Sequence, residues 1–173
     1  RRKRILDIME TSIRQRRFKV WYQPVFNLKT NRFSSAEAPL RLRDYDGEPV
    51  SPSEFIPLAE ETGLIDDLSW IVLEEICMLF GQRRGKIDSV SINLSMQQFE
   101  DRSLCARIHE CLNRSGLNPD QLKIEVTERV LLQDMDYMKM MMEEMTGEGF
   151  GFYLDDFGTG YSNISCALSL PLE

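Results

Sequence analysis

Residues 122–156 read LKIEVTERVLLQDMDYMKMMMEEMTGEGFGFYLDD, and the succession within them decides the fold. The opening "LKIEVTE" alternates in a way that suits a strand, with Glu125 and Thr127 on one face and Ile124 and Val126 on the other. A helical segment over 135–146 follows, and then a second apolar run, "FGFYLDD", that suits another strand. Strand, helix and strand in that order imply parallel pairing and an α/β architecture. The same alternation extends upstream. "DSVSINLS" (88–95) is a short buried strand, followed by a helix over 101–115 that "SGLNP" stops. Before it lie a long apolar helix over 67–80 and a shorter one in "EFIPLAEETG" (54–63), with Ser53 placed to cap it and Gly63 to end it.

The first part of the chain has a different rhythm. "FKVWYQPVFNL" (18–28) is rich in aromatic and β-branched residues, and Pro24 within it argues for an edge or irregular strand. The turn "KTNRF" leads to a second strand over 33–43, which makes the two antiparallel neighbours. Residues 1–16 form a partly amphipathic helix through Ile5, Leu6, Ile8, Met9 and Ile13. We expect a linker helix over 1–17 arriving from an upstream domain and a single domain over 18–173. The chain opens at Arg1, with no initiator Met, which fits a piece of something longer.

Composition narrows the function classes. A formal net charge of −7 over 173 residues argues against a general nucleic-acid binder, which is built on Lys and Arg surfaces, so no DNA partner is expected. It leaves room for a small phosphorylated ligand held by one arginine and metal ions. No stretch has the apolar length of a membrane span, and no signal peptide stands out. The four cysteines, Cys77, Cys105, Cys111 and Cys166, show no C-x-x-C spacing and read as buried free thiols, in keeping with a reducing cytoplasm. The one histidine, His109, reads as a surface or boundary residue, and without a paired nucleophile Ser-His and Cys-His chemistry are poor fits. Six methionines crowd residues 135–145 almost all round a helix. They read as adaptable core filling, with a partner-binding surface as the sharper alternative.

The polar residues at strand ends carry the chemistry. Glu37 stands in the second strand, Asn93 ends "VSIN", Glu125 lies in "KIEVTE", and Asp155 and Asp156 end "FYL". Functional groups in parallel α/β folds gather at the C-terminal ends of strands. Carboxylate and amide oxygens suit hard cations such as Mg²⁺ or Mn²⁺, whereas zinc would call for His or Cys. Two adjacent aspartates can serve two ions, one shared and one private, an arrangement that favours attack of water on a phosphodiester. Each residue alone has a plainer reading, since an Asp at a strand end is more often a turn or cap residue.

In order and spacing, "YQPVFNL", "AEAPLRL", "FIPLAEETGLI", "SINLS", "IEVTE" and "LDDFGTGYS" strongly resemble the EAL-domain family of cyclic-di-GMP phosphodiesterases. The resemblance runs from Phe18 to the end of the chain. It implies a modified TIM (β/α)8 barrel with an antiparallel first strand, present here as an incomplete barrel, and hydrolysis of cyclic-di-GMP to linear pGpG. It also implies two Mg²⁺ or Mn²⁺ ions, with Glu37, Asn93 and Glu125 as ligands, Asp155 as the bridging ligand and Asp156 on the second metal. Gln23 and Arg41 match nucleotide contacts. Glu128 matches a residue that holds the loop "DFGTGYS", through which the family couples metal site and dimer interface. A homodimer, an upstream sensory or GGDEF-type domain and a cytoplasmic location are further implications.

Two departures from the family stand out. The signature triplet is Glu37-Ala38-Pro39, with Pro in place of Leu, and we expect a local bulge beside the metal ligand. The chain also ends at "SLPLE", before the family's next strand, its water-activating Lys, a later metal-associated Glu and a late nucleotide-contacting Gln. The complete domain therefore reads as a phosphodiesterase and these 173 residues alone as nearly inactive. A non-catalytic cyclic-di-GMP receptor and a protein-interaction module are the competing readings.

Overall fold

A computed structural model describes residues 1–82, 87–127, 134–156 and 169–173. Its centre is a five-stranded sheet in the order β2-β3-β6-β7-β8. The strands are β2 (Gln23–Asn27), β3 (Arg32–Glu37), β6 (Ser89–Asn93), β7 (Leu122–Thr127) and β8 (Gly151–Asp155). β2 pairs antiparallel with β3, and every later pairing is parallel. The expected antiparallel first strand is therefore present, and Pro24 lies on a sheet edge, where a missing N–H costs least. Beyond β8, Leu172 makes a parallel bridge to Phe152, and the Glu173 N–H donates to the Phe152 carbonyl at 3.0 Å. The last residues thus lie along the β8 edge of the sheet.

The two long N-terminal strands expected from the sequence are each divided. Residues 18–28 split into β1 (Lys19–Val20) and β2, and residues 33–43 into β3 and β4 (Leu40–Arg43). β1, β4 and β5 (Pro49–Val50) make a second, three-stranded antiparallel sheet. The division falls at Ala38-Pro39, where proline has no N–H to continue the ladder. The expected bulge is instead on the neighbouring strand, where the register shifts between Val25 and Phe26.

Helices cover one face of the main sheet. α3 (Leu64–Gly81), α5 (Leu104–Ser115) and α6 (Met135–Gly147) pack on Val90, Ile92, Leu122, Ile124, Val126 and Phe152. In β7 the outward residues Leu122, Ile124 and Val126 are buried, while Lys123, Glu125 and Thr127 turn to the other face. Burial of Ile124 and Phe152 is complete, so truncating either to Ala would cost about 2–5 kcal/mol. Met138, Met141, Met142 and Met145 bury into this core at helical spacing. They form a stripe, not the all-round distribution the sequence suggested, which supports the core-filling reading.

α3 and α5 approach closely at their C-terminal ends. A Cβ on Gly81 would lie 2.8 Å from the Ser115 carbonyl oxygen. One turn earlier the Sγ atoms of Cys77 and Cys111 stand 3.1 Å apart. Both thiols are free and buried, and burial, then the contact with Cys111, pushes the Cys77 thiol up to about 12. Cys166 lies outside the described residues.

A second core joins α1 (Arg2–Arg14), α2 (Pro52–Thr62) and the start of α3 around Phe18, Leu42 and Phe55. Ile8 and Met9 of α1 are fully enclosed there. Ion pairs Arg1–Glu54 and Arg4–Asp46 tie the same helix to α2 and the β4–β5 turn. Residues 1–17 therefore pack as part of the folded unit. Ser51, not Ser53, occupies the N-cap of α2, and Gly63 ends the helix with φ of 74° as expected. The short helix α4 (Met96–Phe99) precedes α5, which begins three residues later than the sequence suggested.

Candidate active site

Strand register brings the predicted residues to one rim. Gln23 lies opposite Glu37, Glu37 opposite Ser91, Asn93 opposite Glu125, and Thr127 opposite Asp155. Because side chains alternate, Glu37, Ser91, Asn93, Glu125, Thr127 and Asp155 share the face that the helices leave uncovered. The Asn93 Nδ2 donates to Glu125 Oε2 at 2.9 Å and reaches Glu37 Oε1 at 3.5 Å. Ser91 Oγ donates to Glu125 Oε1 at 2.6 Å. Ser91 escaped the sequence reading, although its position two residues before Asn93 places it on the same face.

Glu125 carries the electrostatic strain of the site. Burial raises its carboxyl pKa above the ordinary range, and the Glu37 and Asp155 charges add to the rise. The hydrogen bonds from Ser91 and Asn93 oppose it without cancelling it. Lys123 stands on the same face of β7, but it is paired with Glu173 at 2.7 Å. Among the described residues no Lys or Arg forms an ion pair with Glu37, Glu125 or Asp155. Among the described residues, Glu37, Glu125 and Asp155 offer carboxylate oxygens, and Asn93 offers an amide oxygen and nitrogen.

Asp155 and Asp156 separate at the end of β8. The Asp156 N–H donates to Asp155 Oδ1 at 2.8 Å, and Asp156 has φ of 56°. Asp is one of the few residues that tolerates this left-handed conformation. Asp155 remains half-buried at the rim while Asp156 is exposed. Glu128 and the loop 157–162 lie outside the described residues.

The nucleotide-contact candidates stand beside this group. Gln23 is exposed on β2 at the Glu37 position of the ladder. Arg41 is half-buried on β4, donates to its neighbour's carbonyl at Leu40 at 3.2 Å, and sits over the Trp21 ring at 5.7 Å. It makes no ion pair among the described residues. Among these residues, too, no three Asp, Glu, His or Cys side chains close on a single point as a finished cation site. Glu37, Asn93 and Glu125 form the closest grouping, with Asp155 in electrostatic range.

No helix among the described residues is long and apolar enough to cross a membrane. Comparison with known proteins is specific. The EAL domain family model matches residues 6–173. The signaling protein YkoW of Bacillus subtilis is 36% identical over 168 residues, covering 96% of this chain and 21% of that protein. The bifunctional diguanylate cyclase/cyclic di-GMP phosphodiesterase MucR of Pseudomonas aeruginosa is 33% identical over 170 residues, covering 96% of this chain and 25% of its own length. The chain thus spans about a fifth to a quarter of these relatives. The solved structure of the MucR phosphodiesterase in complex with c-di-GMP superposes with a TM-score of 0.87 at 32% identity, over 98% of this chain and 70% of that one. The curled, mostly parallel sheet with its antiparallel first strand is the TIM-barrel-like arrangement of these neighbours, and this chain belongs to the EAL domain family.

Proposed function

We propose that this chain supplies the metal-binding and nucleotide-binding rim of a phosphodiesterase that opens cyclic-di-GMP to linear pGpG. The observation that carries the reading is the grouping of Glu37, Asn93 and Glu125 with Asp155 on four adjacent strand ends. Crowded carboxylates without a cationic partner are stabilised by hard divalent cations, and oxygen donors suit Mg²⁺ or Mn²⁺. Glu37, Asn93, Glu125 and Asp155 would hold one ion, and Asp155 with Asp156 a second. Asn93 would present Oδ1 in place of Nδ2, a change of amide orientation alone. When bound, such ions polarise a phosphoryl oxygen and lower the pKa of a bound water.

The remaining work falls to the chain's own side chains. Arg41 makes no ion pair among the described residues, and its guanidinium suits a phosphate oxygen. Gln23 offers both an amide donor and an acceptor next to Glu37. Ser91 holds Glu125 in a fixed orientation by donating to one oxygen and leaving the other toward Asn93. Homodimer formation through the loop 157–162 and coupling to an upstream domain remain parts of this proposal.

Pro39 favours a second reading, a receptor that binds cyclic-di-GMP without cleaving it. Against that reading, Glu37 keeps its place in the ladder opposite Gln23 and Ser91, and the Ala38 N–H still reaches the Ser91 carbonyl at 3.0 Å. The break that proline imposes falls just after the metal-ligand position. Incubation of the full-length protein with cyclic-di-GMP and Mn²⁺ separates the two: pGpG formation supports the enzyme, and tight binding without product supports the receptor.

A further inference from the structure

Trp21, two positions before Gln23, is exposed, with 53% of its area open. An exposed indole offers a flat apolar π-face together with an N–H, a combination suited to contact with a planar ligand. Its position is fixed by backbone, since the Trp21 N–H donates to the Pro39 carbonyl at 3.1 Å. That bond lies between the Gln23–Glu37 pair of the main sheet and the Lys19–Arg41 pair of the second sheet. Trp21 therefore occupies the junction at which the signature triplet leaves one sheet for the other. One residue, Tyr22, separates it from Gln23, and its ring lies under the Arg41 guanidinium, 5.7 Å from carbon Cζ to centroid.

We infer that Trp21 is a base-stacking platform for the nucleotide, with Arg41 placed to take the adjacent phosphate. This inference rests on the proposed function and names a specificity residue for it. A guanine base offers a flat π-face of a size that suits an indole, and stacking of this kind tolerates an exposed, half-rigid aromatic. The cation–π contact gives Arg41 a fixed direction, and one Nη1–H is spent on the Leu40 carbonyl, so the other guanidinium donors are left for an anion. Pro39 contributes through its carbonyl, which anchors the Trp21 backbone. The residue that departs from the family signature thus sits directly behind the proposed platform.

The chain has two tryptophans, Trp21 and Trp70, so Trp70→Phe leaves a single reporter. The full chain carrying Trp70→Phe is titrated with cyclic-di-GMP, with Ca²⁺ as the supporting cation, and followed by indole emission. Saturable quenching is expected. In a parallel calorimetric titration Trp21→Ala should raise Kd about 5- to 150-fold, while Trp21→Phe retains most of the affinity. A Trp21→Ala protein that melts like the parent and binds within twofold of it overturns the stacking role and leaves the proposed function standing. Absence of any cyclic-di-GMP binding by the unsubstituted chain overturns both.

Discussion

Asn93 donates its side-chain amide to Glu125 at 2.9 Å across the β6–β7 pair, and so steadies a carboxylate that faces two others. This bond joins the two residues around which the proposed metal site is organised. It also makes the site a source of instability when no cation is present, because Glu37 and Asp155 repel the charge that Asn93 helps to hold.

Glu125→Gln should therefore stabilise the chain in chelator at neutral pH. Removing one charge from the group is expected to raise Tm by about 2–4 °C, the size of a roughly 1 kcal/mol change in a domain of this length. The same substitution should abolish the rise in Tm that Mn²⁺ gives the unsubstituted chain. Thermal melts with and without Mn²⁺ test both effects, and a lower Tm in chelator would contradict the repulsion argument.

Arg41→Ala should weaken cyclic-di-GMP binding by about 10- to 150-fold, the range for loss of a charge-assisted hydrogen bond of 1.5–3 kcal/mol. Calorimetric titration at two salt concentrations checks it. The substituted protein should also show a shallower salt dependence, since one cation–phosphate contact is gone. An unchanged Kd would remove Arg41 from the site.

Gly81→Ala tests the packing of the fold away from the site. Alanine is the better helix former by roughly 1 kcal/mol, so propensity alone predicts stabilisation. Yet the added Cβ would meet the Ser115 carbonyl oxygen at 2.8 Å and the Ser115 Cβ at 3.0 Å. The backbone of α5 has to move, and a net loss of about 1–3 kcal/mol is expected in urea unfolding. Stabilisation would show that the two helices separate at little cost.

Asp101 gives a pH-dependent contribution. Its Oδ1 accepts from the Ser103 hydroxyl at 2.7 Å and from the Ser103 N–H at 2.8 Å, and the hydroxyl bond is the leading reason its pKa is lowered. A lowered folded-state pKa means that the stabilisation is present above the unfolded value near 3.9 and is lost as pH falls through the folded value. The unsubstituted chain should therefore exceed Asp101→Asn in stability at pH 7, with the difference shrinking as pH falls below the unfolded value. Urea melts at pH 7 and at acid pH measure it. A difference that grows on acidification would contradict the assignment.

Much of the fold was legible because its signals are local. The alternation in "LKIEVT" and the Gly63 helix stop both hold in the structure, as does the buried character of "SVSI". What the sequence obscured is relational. Residues 18–28 and 33–43 each look like one strand, since continuity of apolar residues does not reveal a change of sheet partner at Ala38-Pro39. The methionines of α6 look evenly spread in a list of positions, and only packing shows which four face the core. At the site, strand-end acids and Asn93 were legible from alternation and family motifs. Ser91 was not, because a serine in a buried strand has a plain structural reading until its partner, Glu125, is placed opposite. Trp21 was hidden in the same way, as one more aromatic in a strand-like run.

Chromatography of cyclic-di-GMP incubated with the full-length protein decides whether this rim belongs to a cation-dependent phosphodiesterase. We expect pGpG that appears with Mn²⁺, is suppressed by chelator, and falls at least 100-fold in Glu37→Gln (about 2.7 kcal/mol of lost transition-state stabilisation). Tight cyclic-di-GMP binding with no pGpG at any Mn²⁺ concentration would contradict it.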